Sequence, residues 1–124
     1  MAFSIAPNVI QRRMCVYTKQ IDPSMMRPEY GVLVCRLLEH LPAGLTTAFG
    51  TSIVEVVPAG AVNLHSHSEH ELWVLISGKG VFEVNGQARP VADSTLLYIE
   101  PNQEHAIRNA DPAASLKFLS IWWD

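Results

Sequence analysis

The stretch HSHSEHE (65–71) packs three of the chain's five histidines and two glutamates into seven residues. His65 and His67 stand two apart. On a strand that spacing puts both imidazoles on one face, where they can converge on a single ion. Glu71 follows after a short break and offers a carboxylate oxygen. Glu69 is the alternative donor, at a poorer spacing. Taken alone, the run is also the pattern of a solvated loop, so the rest of the chain has to decide.

A second cluster, NQEHAIRN (102–109), lies on a later segment and contributes His105. A strand carrying His105 can face the first one if the sheet closes on itself. Three imidazoles and one carboxylate suit one divalent transition metal, Fe, Mn, Ni, Zn or Cu. Such a centre keeps a position open for water or substrate, which is what separates a catalytic site from a structural one.

Outward from these clusters, helical periodicity is hard to find. Short apolar runs alternate with Gly, Pro, Asn and Asp, the pattern of an all-β sandwich or barrel. The spacing predicts strands over 47–57, 64–67, 71–78, 94–101, 105–110 and 115–123. KGVFEVNGQARPV (79–91) reads as a hairpin turning at Asn85-Gly86, a pair suited to positive φ in a type I′ turn. That makes about eight strands after residue 45, enough to close a small barrel. Upstream, residues 1–14 show little pattern, CVYTKQI (15–21) reads as a strand and DPSMMRPEYG (22–31) as a loop. VLVCRLLEHL (32–41) reads as a strand at its front, and PAGL (42–45) turns the chain.

The two clusters resemble the paired motifs of the cupin superfamily. The first motif is carried by Gly60, His65, His67, Glu71 and Gly78. Three residues separate His67 from Glu71 and six separate Glu71 from Gly78, as in the family. Gly60 is one residue closer to His65 than the family glycine, and Ala59 takes that exact place. The second motif is carried by His105 and Asn109. Its proline position holds Glu100, with Pro101 next to it, and its two glycine positions hold Ser94 and Asn102. Asn tolerates the left-handed backbone, so the turn before His105 can survive. The resemblance covers about 47–123. It implies an all-β, double-stranded β-helix (jelly-roll) barrel over 47–124 with an N-terminal extension over 1–46, adding strands or an interface. It also implies His65, His67, Glu71 and His105 as metal ligands. The implied activity is a metal-dependent oxygenase, isomerase or lyase acting on a small polar molecule. The alternative is a non-catalytic barrel that binds a sugar or metabolite.

Other residues are read by strand parity. Trp73 shares the side of Glu71 and floors a substrate pocket or belongs to the core. Glu83 and His70 are further substrate-binding candidates, although His70 also reads as a solvent-facing loop residue. No residue is singled out as a catalytic acid or base. Leu97 and Ile99 are expected inside the barrel. One of Trp122 and Trp123 must face outward, which leads to the expectation of a homodimer.

Composition bounds the rest. The 124 residues are 48% hydrophobic and 17% charged, with net charge −3, so the chain forms a globular domain without the basic footprint of a nucleic-acid or anionic-membrane binder. Cys15 and Cys35 lie in apolar surroundings and read as buried thiols rather than a disulfide. No apolar run approaches a bilayer span. The first residues lack a charged start followed by an apolar stretch, so a cytoplasmic protein is expected.

Overall fold

Alternation of buried and exposed side chains runs through nearly every strand of the computed structural model, which describes residues 16–124. The strands are β1 (Arg27–Glu29), β2 (Val32–Arg36), β3 (Phe49–Val56), β4 (Ala61–His65), β5 (His70–Ser77), β6 (Lys79–Val84), β7 (Gln87–Ala92), β8 (Leu96–Ile99), β9 (His105–Asn109) and β10 (Leu116–Trp123). Two single-turn 3₁₀ segments, Pro23–Met25 and Leu37–His40, are the helical elements among the described residues. No helix among those residues is long and apolar enough to cross a membrane.

All pairings are antiparallel. One sheet has the order β1-β2-β3-β10-β5-β8 and the other β4-β9-β6-β7. The two pack face to face as a jelly-roll barrel, as expected. Inward positions recur at every second residue: Ser52, Val54 and Val56 on β3; Glu71, Trp73 and Leu75 on β5; Leu116, Phe118 and Ser120 on β10. Trp73 centres the core, stacked on Phe118 at 4.4 Å and edge-on to Phe82 at 5.7 Å. Burying such aromatic and aliphatic side chains supplies roughly 1.5–3 kcal/mol each. Leu97 and Ile99 are buried, as their parity requires.

Eight strands follow residue 45, as the spacing predicts, and Asn85-Gly86 makes the β6–β7 turn with φ of 49° and 78°. The upstream reading needs correction. Residues 16–21 form no strand, because no neighbouring strand takes up their backbone and their side chains stay exposed, Val16 by 81%. Cys15 and residues 1–14 lie outside the described residues. The 22–31 loop contains β1, which pairs with β2 through a two-residue turn at Tyr30-Gly31, where φ is 52° and 82°. Pro28 is compatible with this strand because β1 is at a sheet edge, where a missing N–H costs no pairing. The 32–41 stretch divides into β2 and a 3₁₀ turn. Cys35 is a free, fully buried thiol.

Candidate metal centre

The mouth of the barrel gathers His65, His67 and His105, whose ring nitrogens lie within 4.8 Å of one another. Different local structures deliver them. His65 ends β4 and His105 begins β9, and the two are directly opposed in the ladder with ring centroids 4.3 Å apart. His67 lies beyond the strand end, in the bend leading to β5, not on a continuous 64–67 strand. Its carbonyl accepts the Asn102 N–H at 2.7 Å, so the turn before β9 pins the bend after β4. Asn102 makes that bond with φ of 65°.

Each imidazole is held the same way. Nδ1 of His65 faces the Asn63 carbonyl at 2.8 Å, Nδ1 of His105 the Gln103 carbonyl at 2.8 Å and Nδ1 of His67 the Glu69 carbonyl at 3.2 Å. A carbonyl only accepts, so Nδ1 carries the proton in all three rings and Nε2 is left with its lone pair. Glu71, inward on β5, adds a carboxylate to the same point. Its Oε1 lies 2.8 Å from His67 Nε2 and 3.5 Å from His105 Nε2, while Ser120 Oγ donates to Oε2. At 3.5 Å the His105 contact is an ion-pair distance and closes no hydrogen bond. His105 Nε2 is buried without a hydrogen-bond partner.

The three imidazoles stand close enough together to share one cation, and the Glu71 carboxylate reaches two of them, His67 and His105. Unpaired ring nitrogens beside a carboxylate are the donor chemistry that a divalent transition metal takes, so these residues fit such an ion. Glu71 is held as a carboxylate. Burial by itself pushes its carboxyl up, but the polar neighbours His105, Ser120, Trp73 and His67 outweigh burial and bring it down to about 2. Burial also holds His65 below the ordinary imidazole range; the Asn63 carbonyl opposes this, and the neighbouring His105 and His67 add to it.

Beside these residues opens a cavity of about 210 Å³. His65, Glu69, Glu71, Trp73 and Ser120 line it together with Ser52 and Trp122 from the same barrel and Tyr30, Val32, Val34 and Arg36 from the β1–β2 hairpin. Trp73 therefore belongs both to the core and to the cavity wall. The other two substrate-binding candidates are elsewhere. Glu83 borders a groove on the outer face of the four-stranded sheet. His70 points outward, bonded through Nδ1 to the Tyr98 hydroxyl at 2.6 Å and stacked on Trp123 at 5.5 Å. Trp123 is the outward member of the terminal pair and Trp122 the inward one. Trp122 lies flat over Gly50, where a Cβ would meet its ring at 2.2 Å.

Sequence reasoning missed Ser120, Tyr30, Arg36 and Ser52. Ser120 was legible as an inward-parity polar residue on β10. The hairpin residues carried no motif at all.

A Cupin domain model matches residues 52–122. The chain belongs to the cupin family. Among solved cupin-like structures, a Photorhabdus luminescens protein superposes with a TM-score of 0.78 at 32% identity, covering 86% of this chain and 87% of that one. A Cupin 2 conserved barrel domain protein from Salinispora arenicola gives a TM-score of 0.78 at 22% identity over 89% and 90% of the two chains. Among curated cupin relatives, an oxalate-binding protein of Thermotoga maritima is 29% identical over 69 residues, 55% of this chain. The cupin matches just over half, 56%, of that relative's length. Ala59, Ser94 and Asn102, which stand at motif glycine positions, have positive φ of 63°, 62° and 65°.

Proposed function

We propose that this cupin holds one divalent transition metal through His65, His67, Glu71 and His105 and acts on a small polar molecule bound in the adjoining cavity. The supporting observation is the close grouping of the three imidazoles, with every Nδ1 tied to a backbone carbonyl and the Glu71 carboxylate beside His67 and His105. When bound, the ion supplies Lewis-acid polarisation of a ligand oxygen or a site for dioxygen, the chemistry of oxygenases, isomerases and lyases. The chain's own residues do the rest. Asn63, Gln103 and Glu69 carbonyls fix the imidazole tautomers, Ser120 orients the Glu71 carboxylate, and Trp73 and Val54 keep the cavity wall dry.

Elemental analysis of protein purified without added metal tests the first half of this reading. Wild type should carry close to one ion per chain, and a His65→Ala/His67→Ala double variant should carry almost none. Full metal content in the double variant would overturn the assignment. The second half is tested by a substrate screen with and without dioxygen. A non-catalytic role, in which the ion organises a pocket for a metabolite, is favoured by one observation, the relation to an oxalate-binding protein. Ligand binding without turnover in that screen would select it.

A further inference from the structure

The cavity has two polar ends, and the metal reading uses one of them. At the other end Arg36 on β2 faces Ser52 on β3, direct partners in the ladder. Arg36 shares the inward parity of Val32 and Val34. Its guanidinium is fixed on two sides. Nε and Nη2 donate to Glu29 at 3.1 and 2.6 Å, and the group lies over the Trp122 ring at 5.9 Å. Glu29 occupies the side edge of the fork. The end edge, one N–H from Nη1 and one from Nη2, is left for a second oxyanion. Ser52 is the independent sign of a ligand. It is 2% exposed, lines the cavity, and its hydroxyl has no hydrogen-bond partner. A buried hydroxyl of this kind carries an uncompensated desolvation cost unless something in the cavity bonds it.

We propose that Arg36 and Ser52 form a carboxylate-binding subsite, so that the ligand is a small molecule with an oxygen donor for the metal at one end and a carboxylate at the other. The inference rests on the proposed metal site for the first end only. Arg36 and Glu71 are on strands three places apart in one sheet, with Arg36 level with Trp73, two residues from Glu71 along β5. Both side chains reach inward, which leaves a gap suited to a short aliphatic acid. Arg36 and Tyr30 lie outside the matched family domain. The selectivity is therefore a property of this chain's N-terminal hairpin. Tyr30 adds to the same wall, stacked on the His65 ring at 5.6 Å and 17°.

Succinate is the probe, titrated into cobalt(II)-loaded protein and followed by the cobalt absorption bands. Its neutral diamide, succinamide, is the charge control, and azide reports on the ion alone. Succinate should bind wild type at least tenfold more tightly than succinamide. Arg36→Met and Arg36→Lys should each weaken succinate at least tenfold, and Ser52→Ala about threefold or more, with azide unchanged. Arg36→Lys keeps the charge beside Glu29, so folding, checked by thermal melting, is preserved while the fork is lost. Equal succinate affinity in wild type and both Arg36 variants, or no preference over succinamide, would overturn the proposal. Failure to take up cobalt would instead count against the metal site. In that event the Arg36 Nε–H resonance of metal-free protein, shifting on succinate addition or staying still, decides the subsite on its own.

Discussion

Ser94 and Ala59 hold a left-handed backbone with a Cβ attached, an arrangement that costs an L-residue about 1–2 kcal/mol relative to the right-handed region. Ser94→Gly should therefore stabilise the fold by about 0.5–1 kcal/mol once glycine's greater freedom in the unfolded chain is set against the relief. Chemical denaturation of the variant, with an unchanged slope, checks this. Asn109 shows the opposite dependence. Its buried side-chain amide donates to the carbonyls of Val56, Val57 and Ala114 at 3.0, 3.3 and 2.8 Å, and its Oδ1 accepts the Asp111 N–H at 2.8 Å. Asn109→Ala would leave these backbone groups unmet, and the midpoint of unfolding should fall by an amount equal to about 2–3 kcal/mol. The sequence placed Asn109 in a motif with His105 but gave it no role. The structure makes it a fastener between strands, a role whose four backbone partners can be counted only after the chain is folded. The histidines were legible for the converse reason. Few other residue types cluster in this way without a shared task.

At the scale of elements, the β1–β2 hairpin is the part that local patterns hid. Pro28 and the short length of β1 read as loop, and Tyr30-Gly31 lacks the Asn-Gly signature that marked the β6–β7 turn. The hairpin is secured from outside its own ladder by the Glu29–Arg36 pair. Hydrogen bonding from Arg36, opposed by burial, holds the Glu29 carboxyl below its ordinary 4.5. A carboxyl lowered in the folded state stabilises above its unfolded value and loses that contribution as pH falls through the folded one. Glu29→Gln should thus be less stable than wild type at pH 7, by about 1 kcal/mol or less because both groups are partly exposed to solvent. The difference should vanish as the pH is taken well below 4.5, which parallel melts across pH would reveal. A constant difference down to pH 2 would show that the pair acts by shape rather than charge. Most of the eight later strands, by contrast, were readable because they bury one face and so alternate visibly, and the mostly exposed β7 was readable from the Asn85-Gly86 turn before it.

For the molecule as a whole, the proposed metal site would join the two sheets: Glu71 comes from the six-stranded one, His65 and His105 from the other. An ion bound there only by the folded form would clamp one sheet to the other. At a free concentration 100 times its dissociation constant it adds about 2.7 kcal/mol. Chelator treatment should lower the melting temperature by roughly 10 °C, and one equivalent of the ion should restore it. In the His65→Ala/His67→Ala variant the chelator should have almost no effect. Sheet membership was not legible from strand patterns, since alternation says which face is buried but not against which partner.

The strand order also carries a consequence for synthesis. β10 lies between β3 and β5, paired to both along its length. A ribosome delivers those two strands well before the one that joins them. The β2–β3 and β6–β7 ladders can form as they emerge, but the larger sheet has a missing centre until residue 116 and its successors are free of the exit tunnel. Closure is a single late event, and a nascent chain stalled upstream of β10 exposes two unfilled edges to whatever holdase is near.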